Sequence, residues 1–502
     1  MAERNAELCL FCLEKDITIL FNPETQAFCN ISAGIKKRLL KLPAHEGGYG
    51  EIVIQISRQQ VKNPGDFKNL FQSLKVGKFV KIQNIKKIDV QKLKKRRNIP
   101  PNIVILPTFG CNLRCSYCWN TYGTYGRSKE IMNHDTAVQT GKWLSSLIET
   151  GSDNNRLQKV EFFGGEPLLA PDVFTTITKS IHEAAAKKGQ KVSITLVTNG
   201  LLFDDELIRF CRDHGVRICI SLDGPEEMHN AMRVDVSGKG SHARVIDVIK
   251  RIQKIYPNGF QVRATVTPPY KFMSLCDYMH GLGISDFGFM QVTDERIGPD
   301  GGEILPGDYG LRNSRKAMFN FLNAYLDRLL SGDNVYYSKN FFQLVSAGLA
   351  SGIKITPCGL GMGGPCVLPD GTFVTCFKFA FDPSRRTGDV WEGVDYEAVV
   401  KNMNFTASHS VWSYEPCRKC FARYKCGGPC YASNRVFNRE MGVFCGAGCE
   451  TNRELIITGF YAVALLQKKD PAMFKLMQEN RGKKARKSLR QLFAQHYLHK
   501  AS

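Results

Sequence analysis

The sequence predicts an α/β fold built around a parallel sheet. Six short apolar segments between residues 102 and 292 are typical of buried strands, and amphipathic stretches such as DELIRFCRDHG follow them. The segments are NIVILPTF, KVEFFGG, VSITLVTNG, VRICISLDG, FQVRATVTP and FGFMQV. Repeated strand and helix units of this kind fit either an open doubly wound sheet or a partial barrel.

A smaller domain is expected before this core. Residues 1–85 predict an α+β domain in which the strand-like pieces ITILFNP and EIVIQIS surround the helical AGIKKRLLKL. The lysine-rich stretch 86–99 predicts a linker. The parallel-sheet core is expected to follow over 100–300.

The carboxyl-terminal part predicts three further segments. Residues 301–355 are expected to form a helical bridge, and residues 456–502 a basic helical tail. Between them, residues 356–455 hold nine of the 18 cysteines among Gly and Pro. In such a segment the cysteines must supply much of what a hydrophobic core would otherwise give.

Composition narrows the class of protein. With 502 residues, 43% of them hydrophobic and 23% charged, the chain is globular and can bury a sizeable core. We find no apolar run of about 18 residues and no signal-peptide pattern, so we expect a cytoplasmic protein without a transmembrane segment. In a reducing cytoplasm, C-x2-C and C-x3-C spacings favour metal or clusters over disulfides. The net charge of +21 favours an acidic partner, which is nucleic acid, an anionic membrane surface or an acidic peptide.

Three cysteines follow the first predicted strand in TFGCNLRCSYCW. Cys111, Cys115 and Cys118 have the spacing C-x3-C-x2-C. A [4Fe-4S] cluster with four thiolates is coordinatively closed, whereas three thiolates leave one iron open. By the logic of catalytic zinc sites, the missing protein ligand marks the position where a substrate binds.

The next strand ends in EFFGGEPLL. Its glycines let the backbone approach a ligand closely, and Glu166 offers a carboxylate suited to an ammonium group. Together with the cysteine triplet, this segment resembles the radical S-adenosylmethionine (SAM) superfamily over about residues 100 to 295. The resemblance implies a partial (β/α)6 barrel. It also implies that the open iron chelates SAM and that reductive cleavage gives a 5'-deoxyadenosyl radical, which removes hydrogen from the substrate.

The resemblance also implies positions for SAM. Tyr117 is expected near the adenine, while Gly165 and Glu166 hold the methionyl amine. Ser221 and Arg233, in SLDGPEEMHNAMR, are expected to contact the ribose and the carboxylate. The alternative for these two is a turn and a surface ion pair. No catalytic side chain is assigned.

The cysteine-rich region is similar to the SPASM extension of radical SAM enzymes. Its marks are C-x12-G-x4-C at Cys358, Gly371 and Cys376, followed by CRKCFARYKCGGPC. The resemblance implies two auxiliary [4Fe-4S] clusters, hence three clusters in all. The first would take Cys358, Cys366, Cys376 and Cys430. The second would take Cys417, Cys420, Cys426 and Cys449, with Cys445 as the rival for the last place. A zinc ribbon is the alternative.

The class of substrate is inferred from the amino-terminal segment and from one position in the cysteine-rich region. The first 80 or so residues are similar to PqqD-like leader-recognition domains, which bind a peptide as an added strand. The sulfatase-maturing branch carries a catalytic Asp directly after the third SPASM cysteine, where this chain has Phe377. We therefore expect an oxidoreductase that modifies a ribosomally made precursor peptide with an acidic leader, forming a thioether, ether or carbon–carbon crosslink or an epimer. A flavodoxin or ferredoxin would supply electrons.

Three alternatives remain at this stage. A sulfatase-maturing, formylglycine-forming enzyme would share every cluster but needs an acid at position 377. An RNA-modifying radical SAM enzyme would use the basic tail, although the sequence has no RNP-like aromatic platform and nucleic acid is not the expected partner. An iron–sulfur regulator would have no need of an open iron.

Residues outside these motifs are expected to be structural. Cys9, Cys12 and Cys29 are expected to pack among apolar residues rather than bind metal. The same is expected for three cysteines of the barrel and three isolated histidines. They are Cys211, Cys219, Cys276, His214, His229 and His242.

Overall fold

The chain divides into two compact units. The first comprises Met1–Ile85, Leu311–Cys358 and His409–Ser502, and we call it the cysteine unit; the second, the barrel unit, comprises Lys86–Gly310 and Gly359–Ser408. The boundary therefore divides the predicted SPASM segment 356–455 between the two units. The computed structural model describes residues 6–14, 17–47, 51–76, 99–118, 120, 122–292, 311–332, 336–350, 352–360, 364–432, 446–482 and 487–498.

A five-stranded antiparallel sheet opens the cysteine unit, in the order β3-β2-β1-β5-β4. Its strands are β1 (Ala6–Glu14), β2 (Ile17–Phe21), β3 (Phe28–Asn30), β4 (Ala44–Glu46) and β5 (Ile52–Ile56). The helices beside it are Ala33–Leu39, Arg58–Lys62 and Lys68–Ser73, with a 3-10 turn at Gly65–Phe67. Ser57 and Gln60 form a capping box that starts the second helix. Leu10, Leu20, Ile54 and Phe71 are buried in one core, so the sheet and helices pack together as the alternation of apolar residues predicts.

Helices make up the rest of the cysteine unit. They are Leu311–Ser331, Lys339–Leu349, Glu415–Lys419, Arg423–Cys426, Gly446–Lys469, Pro471–Gly482 and Leu489–Tyr497. Phe460, on the longest of them, packs its ring 4.8 Å from that of Phe21 on β2. Arg423 forms a buried ion pair with Glu24. Within this unit the cysteine-bearing helices are thus held against the amino-terminal sheet by an aromatic core and a buried ion pair.

The barrel unit is built on six parallel strands. They are β6 (Asn102–Ile105), β9 (Lys159–Phe162), β10 (Ser193–Thr198), β11 (Arg217–Ser221), β12 (Phe260–Val266) and β13 (Phe287–Gln291). Their order in the sheet follows their order in the chain. A doubly wound sheet reverses its strand order at a switch point, so the structure agrees with the partial barrel. Each of the six predicted strand segments contains one of these strands.

Helices follow the barrel strands, and shorter strands extend the sheet beyond β6. The helices are His134–Thr150, Pro171–Lys188, Asp205–Asp213, Glu226–Asn230, His242–Ile255, Phe272–Gly281 and Tyr396–Ser408. The added strands are β14 (Cys366–Val367), β15 (Thr372–Val374), β16 (Arg386–Asp389) and β17 (Gly393–Val394). β14 runs parallel to β6 and the others are antiparallel, while β7 (Thr108–Phe109) and β8 (Glu130–Ile131) form a separate pair. Three 3-10 turns lie at Pro167–Leu169, Phe377–Phe379 and Pro383–Arg385.

The barrel helices begin where the sequence places polar caps. Asp204 accepts a hydrogen bond from the Leu207 amide at 2.7 Å and starts the helix Asp205–Asp213, which buries Cys211. Cys219 and Cys276 are also fully buried in this unit, so the prediction that these three cysteines are core residues is confirmed. No helix in the described part of the chain is both long enough and apolar enough to span a bilayer.

Candidate functional site

A cavity of about 370 Å³ opens at the carboxyl ends of the parallel strands in the barrel unit. Parallel strands bring their carboxyl ends to one edge of a sheet, where ligands bind in this class of fold. Each of the six parallel strands contributes to the lining, either from the strand itself or from the segment that follows it. The polar and charged lining residues are Cys111, Cys115, Tyr117, Cys118, Asn120, Thr198, Asn199, Ser221, Arg233, Arg263, Thr265, Gln291 and Lys378.

The three thiols of the C-x3-C-x2-C motif all line this cavity. Burial raises the pKa of Cys111 and of Cys115 to about 12, and it also raises the pKa of Cys118. The Leu113 amide lies 3.4 Å from Cys111 Sγ. Thiols this well buried stay protonated unless a cationic centre binds them, and iron is such a centre. The donor set, three thiols beside hydrogen-bonding side chains, fits a cluster that keeps one iron open.

Asp223 connects the residues expected around SAM. Its carboxylate accepts hydrogen bonds from the Tyr117 hydroxyl, from Arg233 Nε at 2.7 Å and from the Thr265 amide at 2.8 Å. The Arg233 guanidinium lies 5.4 Å from the centre of the Tyr117 ring. Arg233 is therefore in an ion pair, as one alternative expected, but the pair is buried, with side chains 10% and 2% exposed. Sequence reasoning missed Asp223, although it stands two residues after Ser221 at the end of a strand.

Glu166 is fully buried and is not among the residues that line the cavity. Its carboxylate accepts hydrogen bonds from the Leu168 amide at 3.0 Å, the Thr198 hydroxyl at 2.8 Å and the Asn199 amide at 2.8 Å. Burial raises the pKa of Glu166 to about 7. Glu166 thus joins the ends of β9 and β10 from behind the cavity wall. Its contact with the methionyl amine stays a prediction.

Gly165 does line the cavity, and its lack of a side chain is required by the fold. A Cβ at this position would overlap the carbonyl oxygen of Gly110, in the loop that leads to Cys111. The same carbonyl accepts a hydrogen bond from the Glu166 amide at 2.8 Å. The glycine therefore lets the GGEP turn lie directly against the cysteine loop.

The first predicted auxiliary set is distributed over both units. In the barrel unit, Cys366 is buried on β14, and burial together with the nearby Cys376 thiol raises its pKa. In the cysteine unit, Cys358 and Cys430 both lie near Tyr431, whose pKa is raised mainly by burial. Two of the four cysteines thus belong to each unit. The complete ligand set stays a prediction.

The second predicted auxiliary set surrounds one cavity of about 220 Å³ in the cysteine unit. Cys417, Cys420, Cys426 and Cys449 all line it. Burial raises the pKa of Cys417 to about 12, and the other three thiols contribute to that rise. Four thiols around one cavity fit a coordinatively closed cluster. Cys445, the rival fourth ligand, lies outside the described residues.

Two further observations concern metal binding. Within the described ranges, no three or more His, Cys, Asp or Glu side chains converge closely enough to hold a single metal ion. Cys9 is buried on β1 and Cys12 is exposed, while burial raises the pKa of Cys29 to about 11. Neither Cys12 nor Cys29 lines the cavity that holds Cys417.

Comparison with known proteins agrees with the resemblance. The family model described as the radical SAM superfamily matches residues 105–274. A cysteine-type anaerobic sulfatase-maturating enzyme of Clostridium perfringens is 26% identical over 363 residues, which cover 69% of this chain and 94% of that protein.

Solved structures agree with the fold. Native anSMEcpe with bound AdoMet matches with a TM-score of 0.58 at 20% identity, covering 74% of this chain and 100% of that chain. The same enzyme with bound AdoMet and the Cp18Cys peptide matches with a TM-score of 0.56 at 21% identity and the same coverage. At these identities the similarity establishes the shared fold.

Proposed function

We propose that this chain is a radical SAM enzyme with a SPASM-type cysteine-rich region, and that it modifies a ribosomally made precursor peptide. The match of the radical SAM family model to residues 105–274 supports the first part of the proposal. A [4Fe-4S] cluster and SAM are the cofactors of this family. When bound, they would supply a 5'-deoxyadenosyl radical that abstracts hydrogen from an unactivated residue. The product would be a thioether, ether or carbon–carbon crosslink or an epimer, formed in the cytoplasm.

One observation carries this proposal: the three thiols lie in the same cavity as four of the five residues expected at SAM. Those four are Tyr117, Gly165, Ser221 and Arg233. Cys111, Cys115 and Cys118 would hold the cluster, and Asp223 keeps Arg233 and Tyr117 in fixed orientations. Because Arg233 is 9% exposed and Tyr117 donates to a buried carboxylate, these groups are already desolvated before any ligand binds.

The amino-terminal sheet supports a peptide as the substrate. Its outer strands β3 and β4 each have one edge not paired within the described sheet, and an extended leader can add there as a strand. A cavity of about 690 Å³ lies beside β4 and β5 and is lined by His45, Val53 and Gln55. Arg418 and Lys419 also line it, next to Cys417 and Cys420. A leader held here would lie close to the cysteine-bearing helices of the same unit.

Sulfatase maturation is the second candidate, and the Clostridium perfringens relative favours it because this chain matches nearly all of that protein. At the position where that branch is expected to carry its catalytic Asp, this chain has Phe377. The Phe377 ring lies 4.9 Å from that of Phe163, and both line the cavity. An aromatic side chain cannot accept a proton. We therefore propose that this chain does not form formylglycine.

A hydrogen-abstraction experiment tests the substrate class. The reconstituted protein is given dithionite, SAM and a random-sequence peptide library made from perdeuterated amino acids, and 5'-deoxyadenosine is analysed by mass spectrometry. We expect deuterium in the 5'-deoxyadenosine, because the radical takes its hydrogen from a peptide. In a parallel reaction, deuterated RNA replaces the peptides. Deuterium found in 5'-deoxyadenosine only in that reaction would support the RNA-modifying alternative. Formation of an aldehyde on a cysteine-containing sulfatase peptide would support the second candidate.

A further inference from the structure

Asn199 follows a barrel strand and lines the barrel cavity. It comes directly after β10, and it is 7% exposed. Its backbone amide donates to Glu166 Oε2 at 2.8 Å, and the hydroxyl of Thr198 donates to the other oxygen of the same carboxylate at 2.8 Å. The backbone of Asn199 is therefore fixed against the GGEP turn, and its side chain has a defined position in the cavity wall.

Hydrogen bonds at both ends set the orientation of the Asn199 amide. Its Oδ1 accepts from the Leu201 amide at 3.0 Å. A backbone N–H can only donate, so the oxygen must face Leu201 and Nδ2 must point the other way. There Nδ2 donates to Asn112 Oδ1 at 2.7 Å and lies 3.9 Å from Cys111 Sγ. Because the NH2 group has two hydrogens, one can serve Asn112 and the other the sulfur of Cys111.

Iron binding would strengthen the contact between Asn199 and Cys111. A neutral thiol is a weak acceptor, whereas a thiolate on iron carries negative charge and accepts charge-assisted hydrogen bonds. The Leu113 amide lies 3.4 Å from the same sulfur, so a backbone donor and a side-chain donor both face Cys111. Hydrogen bonds to the sulfurs are among the factors that set the potential of an iron–sulfur cluster. They stabilise the reduced state, which carries more negative charge, and their removal therefore lowers the potential.

We infer that Asn199 donates a hydrogen bond to the Cys111 thiolate of the barrel cluster and thereby raises the reduction potential of that cluster. This inference rests on the proposed function, because it requires a cluster in the barrel cavity. It identifies a residue that decides how readily a one-electron donor of the flavodoxin or ferredoxin class reduces the cluster. Asn199 acts through Cys111 and is therefore a positioning residue. SAM is the other group to which Nδ2 can donate.

Two substitutions remove the Nδ2 donor and retain the local turn. In Asn199→Ser the hydroxyl can still accept from the Leu201 amide, as serine does in turns of this kind, but it lies one bond closer to the backbone than Nδ2. In Asn199→Asp an oxygen replaces Nδ2. The matched control is Asn230→Ser, because the Asn230 side chain also accepts from a backbone amide, that of His242 at 2.9 Å, and is absent from the cavity lining.

A potentiometric titration of the reconstituted proteins tests the inference. Dithionite and redox mediators set the potential in the absence of SAM and peptide, and electron paramagnetic resonance measures the reduced cluster. The signal of the barrel cluster is the one that Cys115→Ala lacks. Iron content is determined for each protein, and SAM affinity is measured by equilibrium dialysis without reductant.

We expect the ratio of reduced to oxidised barrel cluster, at the midpoint potential of the wild type, to be about tenfold lower in Asn199→Ser. This corresponds to about 59 mV for a one-electron couple. Asn199→Asp should lower the ratio at least as much, because a carboxylate replaces the donor. In Asn230→Ser the ratio should stay within about twofold of the wild type, and SAM affinity should change less than about threefold in each variant.

An unchanged potential in the Asn199 variants that keep their iron overturns the inference. So does a fall of about tenfold in SAM affinity at unchanged potential, because Nδ2 would then serve SAM. Asn199→Asp decides between these outcomes if Asn199→Ser does not retain its cluster. The titration needs neither peptide nor SAM cleavage, so failure of the deuterium experiment would remove the proposed substrate and leave this result standing.

Discussion

Two cavities in the described part of the chain are lined by thiols, and they differ in the number of thiols and in the residues that surround them. In the barrel unit, three thiols share a cavity with Tyr117, Asn199 and Arg233. In the cysteine unit, four thiols share a smaller cavity with Pro416, Pro429 and Arg453. The first therefore combines three thiols with side chains that can hydrogen-bond an organic ligand, and the second has four thiols, the number that a fully ligated cluster requires. We propose from this difference that SAM chemistry takes place in the barrel cavity and that the other cavity holds an auxiliary cluster.

The largest expected effect comes from Cys115→Ala. Without its third thiolate the barrel cavity cannot hold its cluster, so formation of 5'-deoxyadenosine should be abolished, while the cysteine unit keeps its iron. About four of twelve irons per chain should be lost. Iron analysis and chromatography of 5'-deoxyadenosine measure both quantities. Unchanged cleavage by this variant would remove the distinction between the cavities.

Asp223→Ala tests whether the barrel cavity is pre-organised. Removing this carboxylate leaves the buried Arg233 guanidinium unpaired and takes an acceptor from Tyr117 and from the Thr265 amide. We expect the free energy of unfolding of the barrel unit to fall by about 3–5 kcal/mol in urea denaturation. SAM affinity should fall as well.

The matched control for that variant is Asp213→Ala. Asp213 pairs with Arg212 at the surface, where the two side chains are 56% and 46% exposed. Loss of this pair should change the free energy of unfolding by no more than about 0.5 kcal/mol. Equal effects of the two substitutions would mean that the Asp223 pair contributes no more than a surface pair.

His229 gives the wall of the barrel cavity a pH dependence. Its Nδ1 accepts a hydrogen bond from the Asp223 amide at 3.2 Å, and its Nε2 lies 2.8 Å from the Ser241 hydroxyl. Because Nδ1 must be unprotonated to accept, the neutral imidazole is the form that makes both hydrogen bonds. Burial, with a smaller contribution from Arg233, lowers the pKa of His229 from 6.5 to about 3. Between about pH 6.5 and pH 3, His229 therefore binds a proton in the unfolded chain but not in the folded chain. The contribution of neutral His229 to stability is complete above pH 6.5 and is lost as the pH falls below that value.

Below pH 6.5 the free energy of unfolding of the wild type should fall by about 1.4 kcal/mol per pH unit relative to that of His229→Asn, whose side chain cannot titrate. Urea denaturation of both proteins at pH 7.5 and 5.5 measures the loss of unfolding free energy between the two pH values, which should be about 1.4 kcal/mol larger for the wild type. Parallel pH profiles of the two proteins would contradict the assignment.

The smallest effect is expected from Cys12→Ser. Cys12 is exposed and lines neither thiol cavity, so iron content and 5'-deoxyadenosine formation should equal those of the wild type. The comparison variant is Cys420→Ser, which should lose about four irons from the cysteine unit. Loss of iron from the Cys12 variant would show that cysteines outside the two cavities bind metal.

Local patterns made much of the barrel predictable. The six strands are apolar runs bounded by turns, and the cysteine triplet is contiguous in sequence, so each could be recognised without tertiary information. The order of the strands could not be deduced from the runs alone. It followed from the resemblance, and the structure agrees with it.

Long-range packing explains what the sequence did not predict. Asp223 acts on Tyr117, which lies 106 residues away, so no local motif indicates its role. Arg263 faces the cavity only because β12 pairs with β11 in a particular register. Lys378 reaches it because β14 adds the cysteine-rich segment to the edge of the barrel sheet. Glu166 was recognised by its motif, yet its burial and its three hydrogen bonds depend on the neighbouring strand β10.

The central claim is that this chain carries one cluster that cleaves SAM and two that assist it. Anaerobic reconstitution, followed by counting of iron and sulfide and by detection of 5'-deoxyadenosine after addition of dithionite and SAM, tests it most directly. We predict about twelve irons per chain together with reductive cleavage. About four irons with cleavage would contradict the auxiliary clusters, and no cleavage with any reductant would contradict the radical mechanism itself.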